Sequence, residues 1–373
     1  MAKYFLIAGE ASGDNHAAAL IRAIREQDAE AVFVGLGGDK MQAAGCTLYQ
    51  HYSKMAYMGY VAVLTHLSDI RRNIRIAEQA LLTEQPDHLI LIDYPGFNLR
   101  MAQYAKRHLP RTQVTYYIPP KIWAWKRWRV HKIGKHCNRI LGIFPFEPNF
   151  YAQYGYTCTY VGNPTAEQIY DYLHRPSAPS VDGRYVALLP GSRRHEVEKC
   201  LPKMLAGTKA ALGDIPDKYT IVVTQAPGIE RSLYERLCEG YPVTLTADTY
   251  DAVRHACAAV VNSGTATLET ALLGCPQVAV YHLAFGRLLE AARPIMFRIP
   301  HFTLVNIVAG KEIIRELLAH YFTAEAVRDE LRRILTDEAY RLNMQSGYDE
   351  VRTRLGHFPT AQTAATIITS SGV

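Results

Sequence analysis

YVALLPGSRRHE, running from Tyr185 to Glu196, decides how this chain is built. Its first five residues are continuously apolar rather than alternating, as in a strand covered on both faces. Pro190, Gly191 and Ser192 then break the run, and a helical pattern begins beyond them. A strand that passes through a glycine loop into a helix opens a βα unit, and the unpaired N–H groups at the helix start form a seat for an anion. The chain holds a second opening of this kind: Ala8-Gly9-Glu10-Ala11-Ser12-Gly13-Asp14 follows the short run from Lys3 to Ala8. Two openings of one type predict an α/β chain made of two Rossmann-like domains facing each other across a cleft.

Working outward, short apolar runs alternate with longer helical patterns over most of the length, which points to parallel sheets. Strands are expected at Lys3 to Ala8, Ala31 to Gly35, His88 to Asp93, Gln113 to Tyr117, Arg139 to Ile143 and Thr159 to Val161. After a linker-like stretch from Ile169 to Arg184, they resume at Tyr185 to Leu189, Tyr219 to Thr224, Val243 to Leu245, Ala258 to Asn262 and Gln277 to Tyr281. Helices are expected at His16 to Gln27, Thr65 to Thr83 and Asn98 to His108. The domains are placed at 1–170 and 171–349, with a C-terminal helix at about 350–373 packing back on the first. The linker and the repeated opening argue against the structural rival, a single (β/α)8 barrel.

The 373 residues, 49% apolar and 20% charged, leave ample material for two cores and exclude global disorder. Seven cysteines, none closer than 18 residues to the next, fit reduced thiols rather than a zinc knuckle or a disulfide framework. The opening apolar run, Tyr4 to Ala8, is too short for an h-region, so no secretory signal is expected, and no apolar run approaches the roughly 18 to 20 residues that span a bilayer. The net charge of +6 is local: Tyr94 to Phe146 carries eleven Lys or Arg and no acid, leaving 30 basic and 35 acidic residues elsewhere. One region is therefore set to meet an anionic surface or ligand.

Chemistry-bearing loops follow. At Gly191, Ser192 and Arg193, amides and a guanidinium are suited to a diphosphate, the alternative being an ordinary turn with solvated arginines. Ser263-Gly264-Thr265 again lies between a strand and a helix, and Glu269 is about a turn and a half up that helix, where its carboxylate can accept from ribose hydroxyls. Neither loop is a Walker A motif, and AGEASGD is not GxGxxG, which disfavours a kinase or an ordinary NAD enzyme. The second domain reads as a site for a nucleoside diphosphate whose diphosphate leaves.

Taken in order, the motifs resemble those of the lipid-A-disaccharide synthases, inverting glycosyltransferases of the GT-B fold. The resemblance rests on GEASGD (Gly9 to Asp14), GLGGDKM (Gly35 to Met41), MGYVAVL (Met58 to Leu64), IDYPGFN (Ile92 to Asn98) and PPKIWAWKRWRVHKI (Pro119 to Ile133). FPFE (Phe144 to Glu147), VGNP (Val161 to Pro164), LLPGSRRHEVE (Leu188 to Glu198) and SGTATLE (Ser263 to Glu269) continue it. It implies a reaction that joins UDP-2,3-diacylglucosamine to 2,3-diacylglucosamine 1-phosphate, forming a β-1,6 disaccharide 1-phosphate and UDP on the way to lipid A, without a cofactor. Asn306 matches the family pattern as a polar contact in the cleft. Val305 and Ala319 depart from it, and the glutamine site at 319 is not carried over.

Inverting transfer needs a base for the acceptor hydroxyl. Asp93 at the end of a strand is the first candidate, with His16, Asp14 and Glu10 as competitors; Ser12 and Gly13 either bind substrate or cap the helix that follows. No DxD-type acidic pair stands beside the diphosphate loops, so no metal site is expected and activity should survive EDTA.

The segment from Tyr116 to Arg129 holds all three tryptophans, and Trp123, Trp125, Lys126, Arg127, Trp128 and Arg129 fit an anionic membrane surface or the acceptor phosphate. Core packing of Trp123 and Trp125, or base stacking on nucleic acid, are the other readings of the same residues. Met55, Met58, Val61, Val63 and Leu64, beside Arg71, Arg72 and Arg75, suggest an entry for acyl chains, and His282 to Phe302, with Phe285, Arg287, Arg293, Met296 and Phe297, a second contact. The expected setting is cytoplasmic, peripheral to the inner leaflet, with no nucleic acid bound. The rival functions are a sugar-nucleotide epimerase, a transferase with a soluble acceptor and a nonenzymatic nucleic-acid binder.

Overall fold

The computed structural model describes residues 1–55, 67–176, 179–282 and 300–370. The chain divides into two compact units, one formed by Met1–Glu167 with His357–Val373 and the other by Gln168–Gly356. Each unit contains its own parallel sheet, which excludes the single barrel.

The first sheet has seven strands: β1 (Lys3–Ala8), β2 (Val32–Gly37), β3 (Thr47–His51), β4 (His88–Ile92), β5 (Gln113–Tyr117), β6 (Arg139–Gly142) and β7 (Thr159–Tyr160). Their order is β3-β2-β1-β4-β5-β6-β7, so the direction of winding reverses between β1 and β4. Phe5, Leu6, Ile7 and Leu89 to Ile92 are fully buried, which is why these strands read as unbroken apolar runs. The helix Thr360–Thr369 completes this unit: its Ala364, Ala365 and Ile368 join Ala17, Leu20, Ile21 and Ile24 of the helix Ala11–Gln27 in one core. Gln27 ties the pair at its rim, donating to Thr366 Oγ1 at 3.0 Å and accepting from Thr369 Oγ1 at 2.8 Å.

The second sheet has six strands: β8 (Tyr185–Leu189), β9 (Thr220–Thr224), β10 (Val243–Thr246), β11 (Ala258–Asn262), β12 (Gln277–Tyr281) and β13 (Glu316–Leu318). The order β10-β9-β8-β11-β12-β13 places its reversal between β8 and β11. In open parallel sheets, ligands bind outside the carboxyl ends of the strands at such a reversal.

Three expectations about elements change. The first loop is shorter than it reads, because the helix begins at Ala11 with Glu10 as its N-cap, so Ser12, Gly13 and Asp14 lie in its first turn rather than before it. Pro164–Leu173 is a helix with Ile169 buried, so the linker composition begins only after Leu173; the expected boundary at 170/171 falls inside this helix, and that at 349/350 inside the helix Glu338–Leu355. The strands β3 and β13 are missing from the sequence reading because both are short, partly exposed edges without a continuous apolar run.

Candidate active site and nucleotide loops

At the reversal of the first sheet, Ala8 pairs with Ile92, so the residues that follow β1 and β4 emerge side by side: Gly9 and Glu10 from one, Asp93 and Tyr94 from the other. The Tyr94 ring lies against Gly9, where a side chain would meet it at 2.2 Å, so the two loops fit only with glycine there. Asp93 and Tyr94 both adopt the left-handed conformation, each with φ of 43°. Such backbone persists where surrounding bonds over-determine it. The Asp93 carbonyl accepts from Asn98 Nδ2 at 2.8 Å and from the Tyr116 hydroxyl at 2.6 Å, while the Asp93 N–H donates to Ile118 O at 3.2 Å. The Tyr94 hydroxyl donates to the carbonyl of Met55 at 2.7 Å. Met55 itself is buried, so it is not part of a surface entry for acyl chains.

This scaffold presents the Asp93 carboxyl to Glu10. Desolvation, then the neighbouring Glu10 charge, push the Asp93 pKa up from 3.8 to about 6, against the opposing pull of Lys121 and the Tyr94 N–H. Glu10 also accepts from the Ser12 hydroxyl at 2.7 Å. His16 belongs to the same group; burial lowers its pKa, opposed by Glu10, which leaves a neutral ring near neutral pH. Asp14 does not belong to it. Asp14 is 2% exposed, and its carboxylate accepts from the backbone N–H groups of Gly38 (2.8 Å), Met41 (3.0 Å) and Lys40 (3.0 Å), fastening the start of the helix Asp39–Ala43. The pairing of GEASGD with GLGGDKM is thus structural at Asp14, and the residue has no role as a base. Gly13 is buried, with Ala8 and Ile92 about it, and packs the helix on the sheet.

Beyond β5, the acid-free segment splits into a buried and an exposed half. Trp123 is only 5% exposed; its Nε1 donates to Glu147 Oε1 at 3.2 Å, and its ring meets Phe144 and Phe146 edge-on. It is a core residue and is removed from the proposed membrane contacts: its ring satisfies a buried carboxylate that a surface position would leave alone. Glu147 also accepts from the N–H groups of Ile143 (2.8 Å) and Phe144 (2.9 Å), and burial raises its pKa from 4.5 to about 7 despite these bonds. Trp125 and Trp128, by contrast, are 43% and 57% exposed. Lys126 stacks on Trp125, Arg129 and Lys132 lie over Trp128, and Arg127 donates from Nε to the Trp123 carbonyl at 3.2 Å. Arg71, Arg72 and Arg75 are exposed on the helix Leu67–Glu84. Met58, Val61, Val63 and Leu64, and the run from Phe285 to Phe297, lie outside the described residues.

In the second unit, Leu189 pairs with Val261, so the loops of Gly191 and Ser263 flank the reversal together. Gly191 has φ of 124°, and a side chain there would lie 2.7 Å from both Asn262 Nδ2 and Glu196. The amides expected to hold a diphosphate carry an internal anion: Glu196 Oε2 accepts from the N–H groups of Ser192 (3.0 Å) and Arg193 (3.2 Å), and Arg193 Nη1 donates to Oε1 at 2.8 Å. Arg194 points elsewhere, to Glu198 and Glu230. The other loop is differently finished. No side chain caps the helix Thr265–Leu272, and the space beside Gly264 is open. Glu269 sits on this helix with its pKa raised by desolvation. His282, just past β12, has its pKa lowered first by desolvation and then by its neighbours Lys203, Lys199 and His195.

Asn306 is 0% exposed and fully used: Nδ2 donates to Ile314 O and Glu316 Oε1, both at 2.9 Å, and Oδ1 accepts from Ile313 N (2.7 Å) and Ile314 N (3.1 Å). With two donors and two lone pairs spent, it folds the 303–316 segment and has no polar atom left for a nucleotide. Sequence reasoning passed over Lys121, Glu147 and Glu196. The charge of Glu196 three residues beyond Arg193 was the available signal, since that spacing makes a reciprocal cap.

All seven cysteines are free, no helix among the described residues is long and apolar enough to cross a membrane, and no cluster of three or more His, Cys, Asp or Glu among them is arranged to hold a metal.

Comparison with known proteins gives a family profile described as lipid-A-disaccharide synthetase that matches residues 4–368. A lipid-A-disaccharide synthase of Trichlorobacter lovleyi is 38% identical over 362 residues, covering 95% of this chain and 93% of that protein. Among solved structures, a calicheamicin glycosyltransferase superposes with a TM-score of 0.61 at 14% identity, covering 99% of this chain and 98% of that one. A UDP-GlcNAc 2-epimerase of Methanocaldococcus jannaschii, in complex with UDP-GlcNAc and UDP, gives 0.62 at 11% identity, covering 99% of this chain and 100% of that one. The fold is that of GT-B glycosyltransferases and epimerases.

Proposed function

Since this chain belongs to the lipid-A-disaccharide synthase family, we propose that in its glycosyl transfer the residues after β1 and β4 serve proton removal and the loops after β8 and β11 serve leaving-group stabilisation. The enzyme is a UDP-sugar-dependent glycosyltransferase that joins UDP-2,3-diacylglucosamine to 2,3-diacylglucosamine 1-phosphate with inversion. The observation that carries the assignment of the base is the β1–β4 register, which sets Asp93 beside Glu10 at the sheet edge, where desolvation and then the Glu10 charge raise the Asp93 pKa to about 6. A carboxylate of that strength is ionised at neutral pH, yet is a better proton acceptor than an ordinary aspartate.

In the reaction, the acceptor 6-hydroxyl attacks C1 of the donor sugar from the face opposite UDP. The O6–C1 bond forms, the C1–oxygen bond to the β-phosphate breaks with its electron pair going to UDP, and the hydroxyl proton passes to Asp93. Charge on the departing diphosphate is met by the Arg193 guanidinium and the uncapped helix start at Ser263, Gly264 and Thr265, while the Ser192 and Arg193 amides hold Glu196. Glu269 accepts from the ribose hydroxyls. Glu10, with Ser12 fixed to it, orients the acceptor beside the base, and His16 is the neutral wall of that pocket.

The exposed Trp125 and Trp128, with Lys126, Arg127, Arg129 and Lys132, form the surface that meets an anionic bilayer, where the acylated substrates reside. The protein is read accordingly as a peripheral protein of the inner leaflet. The deciding experiment supplies radiolabelled UDP-diacylglucosamine with and without diacylglucosamine 1-phosphate. The reading requires a disaccharide 1-phosphate and UDP in equal amounts; UDP formed without acceptor, or an epimerised donor, counts against it.

A further inference from the structure

Lys121 leaves the first sheet at the same edge as Asp93. The strands β4 and β5 pair Ile92 with Tyr117, and Lys121 follows Tyr117 by four residues. The intervening backbone is fixed: the Ile118 N–H donates to Leu141 O at 3.1 Å, Ile118 O accepts the Asp93 N–H, and Pro119 and Pro120 are buried. Immediately beyond, Ile122 and Trp123 are anchored in the core, with the indole held by Glu147. A lysine is therefore presented from a stiff, anchored segment, and the residue keeps exposed surface although its ammonium is desolvated.

Its charge has neighbours but no partner. Asp93, Glu147 and Glu10 all act on the ammonium electrostatically, opposing the desolvation that lowers its pKa. Among the described residues, however, the Lys121 ammonium makes no hydrogen bond or ion pair, while its backbone carbonyl accepts from the N–H groups of Ala124 at 3.1 Å and Trp125 at 3.4 Å. Glu147 is already taken by Trp123 and two amides, and Asp93 faces Glu10. The three carboxylates favour the charged form against desolvation, and the ammonium's donors are left unused by the protein beside the base.

The acceptor brings two groups to this edge, the hydroxyl that reacts and a phosphomonoester at the other end of the same hexose ring. A doubly charged phosphate arriving beside Asp93 and Glu10 is repelled unless a cation compensates it. We propose that Lys121 binds this sugar phosphomonoester and so holds the acceptor with its hydroxyl against Asp93. The inference rests on Asp93 as the base and on the acceptor named above.

The test uses the full-length enzyme in neutral detergent, with two acceptors: diacylglucosamine 1-phosphate and its uncharged 1-O-methyl glycoside. Lys121→Met is expected to raise the KM for the phosphorylated acceptor by about 10- to 100-fold, the range of one charge-assisted hydrogen bond. The donor KM should not move, wild type and variant should be equal on the methyl glycoside at pH values above the acid limb, and Lys121→Arg should restore most of the loss. Because Lys121 also pulls the Asp93 pKa down, the acid limb should move to higher pH on both acceptors; equal losses on both acceptors above that limb would make Lys121 only a tuner of Asp93 and overturn the proposal. An effect confined to assays containing anionic vesicles would assign the lysine to lipid headgroups, also overturning it. A wild-type enzyme that turns over neither acceptor refutes the parent reading, whereas a normal wild type with a donor-specific defect in the variant refutes only this one. Unfolding curves of the arginine and methionine variants separate all of these from loss of fold.

Discussion

Arg193 grips Glu196 at two points, its backbone N–H donating to Oε2 at 3.2 Å and its Nη1 to Oε1 at 2.8 Å. The carboxylate thereby occupies amides that a diphosphate would use, and it sets a negative charge where another must arrive. Glutamine at this position keeps a carbonyl oxygen for the Ser192 and Arg193 amides but removes the charge. Glu196→Gln should therefore tighten UDP binding by about 2- to 10-fold, since an exposed ion pair is worth only about 0–1 kcal/mol and little is lost when it goes. Arg193→Ala should weaken binding and reduce kcat by about 10²- to 10³-fold, as for loss of one donor to developing charge. Calorimetric titration with UDP checks both. Weaker binding in Glu196→Gln would mean that the carboxylate orients Arg193 toward the ligand rather than competing with it.

Asp93 fixes the acid limb of the pH profile. With its pKa raised to about 6, chiefly by desolvation and then by Glu10, the base is lost as pH falls through that value. The log of kcat/KM should drop with unit slope below about pH 6, although Lys121 and His16 share the pocket. Glu10→Gln removes the like charge and should move this limb to lower pH. Asp93→Asn should cost about 10²- to 10⁴-fold in rate. The same change should raise the melting temperature, because a desolvated carboxylate disappears and asparagine tolerates the left-handed backbone that this position adopts. A slow but more stable enzyme separates the chemical role of the carboxyl from a role in holding the loop.

The buried strands were legible because both faces of β1, β4, β8 and β11 are covered, leaving unbroken apolar runs with glycine loops behind them. Asp93 and the Gly191 and Ser263 loops were legible for the same reason, as polar residues directly after such runs. What hydrogen bonds do to a residue was not legible. Asp14 and Asn306 look like site residues in a motif, yet both are spent within their own unit, Asp14 on backbone amides and Asn306 on backbone groups and the Glu316 carboxylate. Trp123 and Trp128 look alike in sequence, but only Trp123 meets a buried carboxylate, supplied from 24 residues away by Glu147.

Glu147 makes stability depend on pH. Its folded pKa is about 7 against 4.5 for the free side chain, so the folded state holds a proton that the unfolded state has released. The corresponding stabilisation is complete below about pH 4.5 and is lost as pH rises through 7, a change on the order of 3 kcal/mol. Asp93 adds a slope of the same sign between about 4 and 6. Urea unfolding at pH 5 and pH 8 should show the difference, and Glu147→Gln should flatten it. Glu147→Ala should be worse at every pH, because it strands the Trp123 indole N–H and the amides of Ile143 and Phe144, each unpaired buried donor costing about 1–3 kcal/mol.

The division of the basic segment into buried and exposed halves makes the membrane proposal separable from folding. Trp125 and Trp128 carry their cations on exposed rings, so replacing both by alanine removes amphipathic surface without opening the core. In flotation with vesicles, wild type should rise with anionic lipid and much less with neutral lipid, because cations near a charged surface contribute about 1 kcal/mol each. The Trp125→Ala/Trp128→Ala protein should lose most of this binding while its unfolding curve stays within about 0.5 kcal/mol, the usual range for surface changes. Trp123→Ala should do the reverse, lowering stability by about 3–5 kcal/mol as for other buried aromatics. Activity toward substrates in neutral detergent should survive in the double variant and fall only when they are embedded in vesicles. Equal flotation on neutral and anionic vesicles, or a double variant that floats like wild type, would move membrane contact away from this segment.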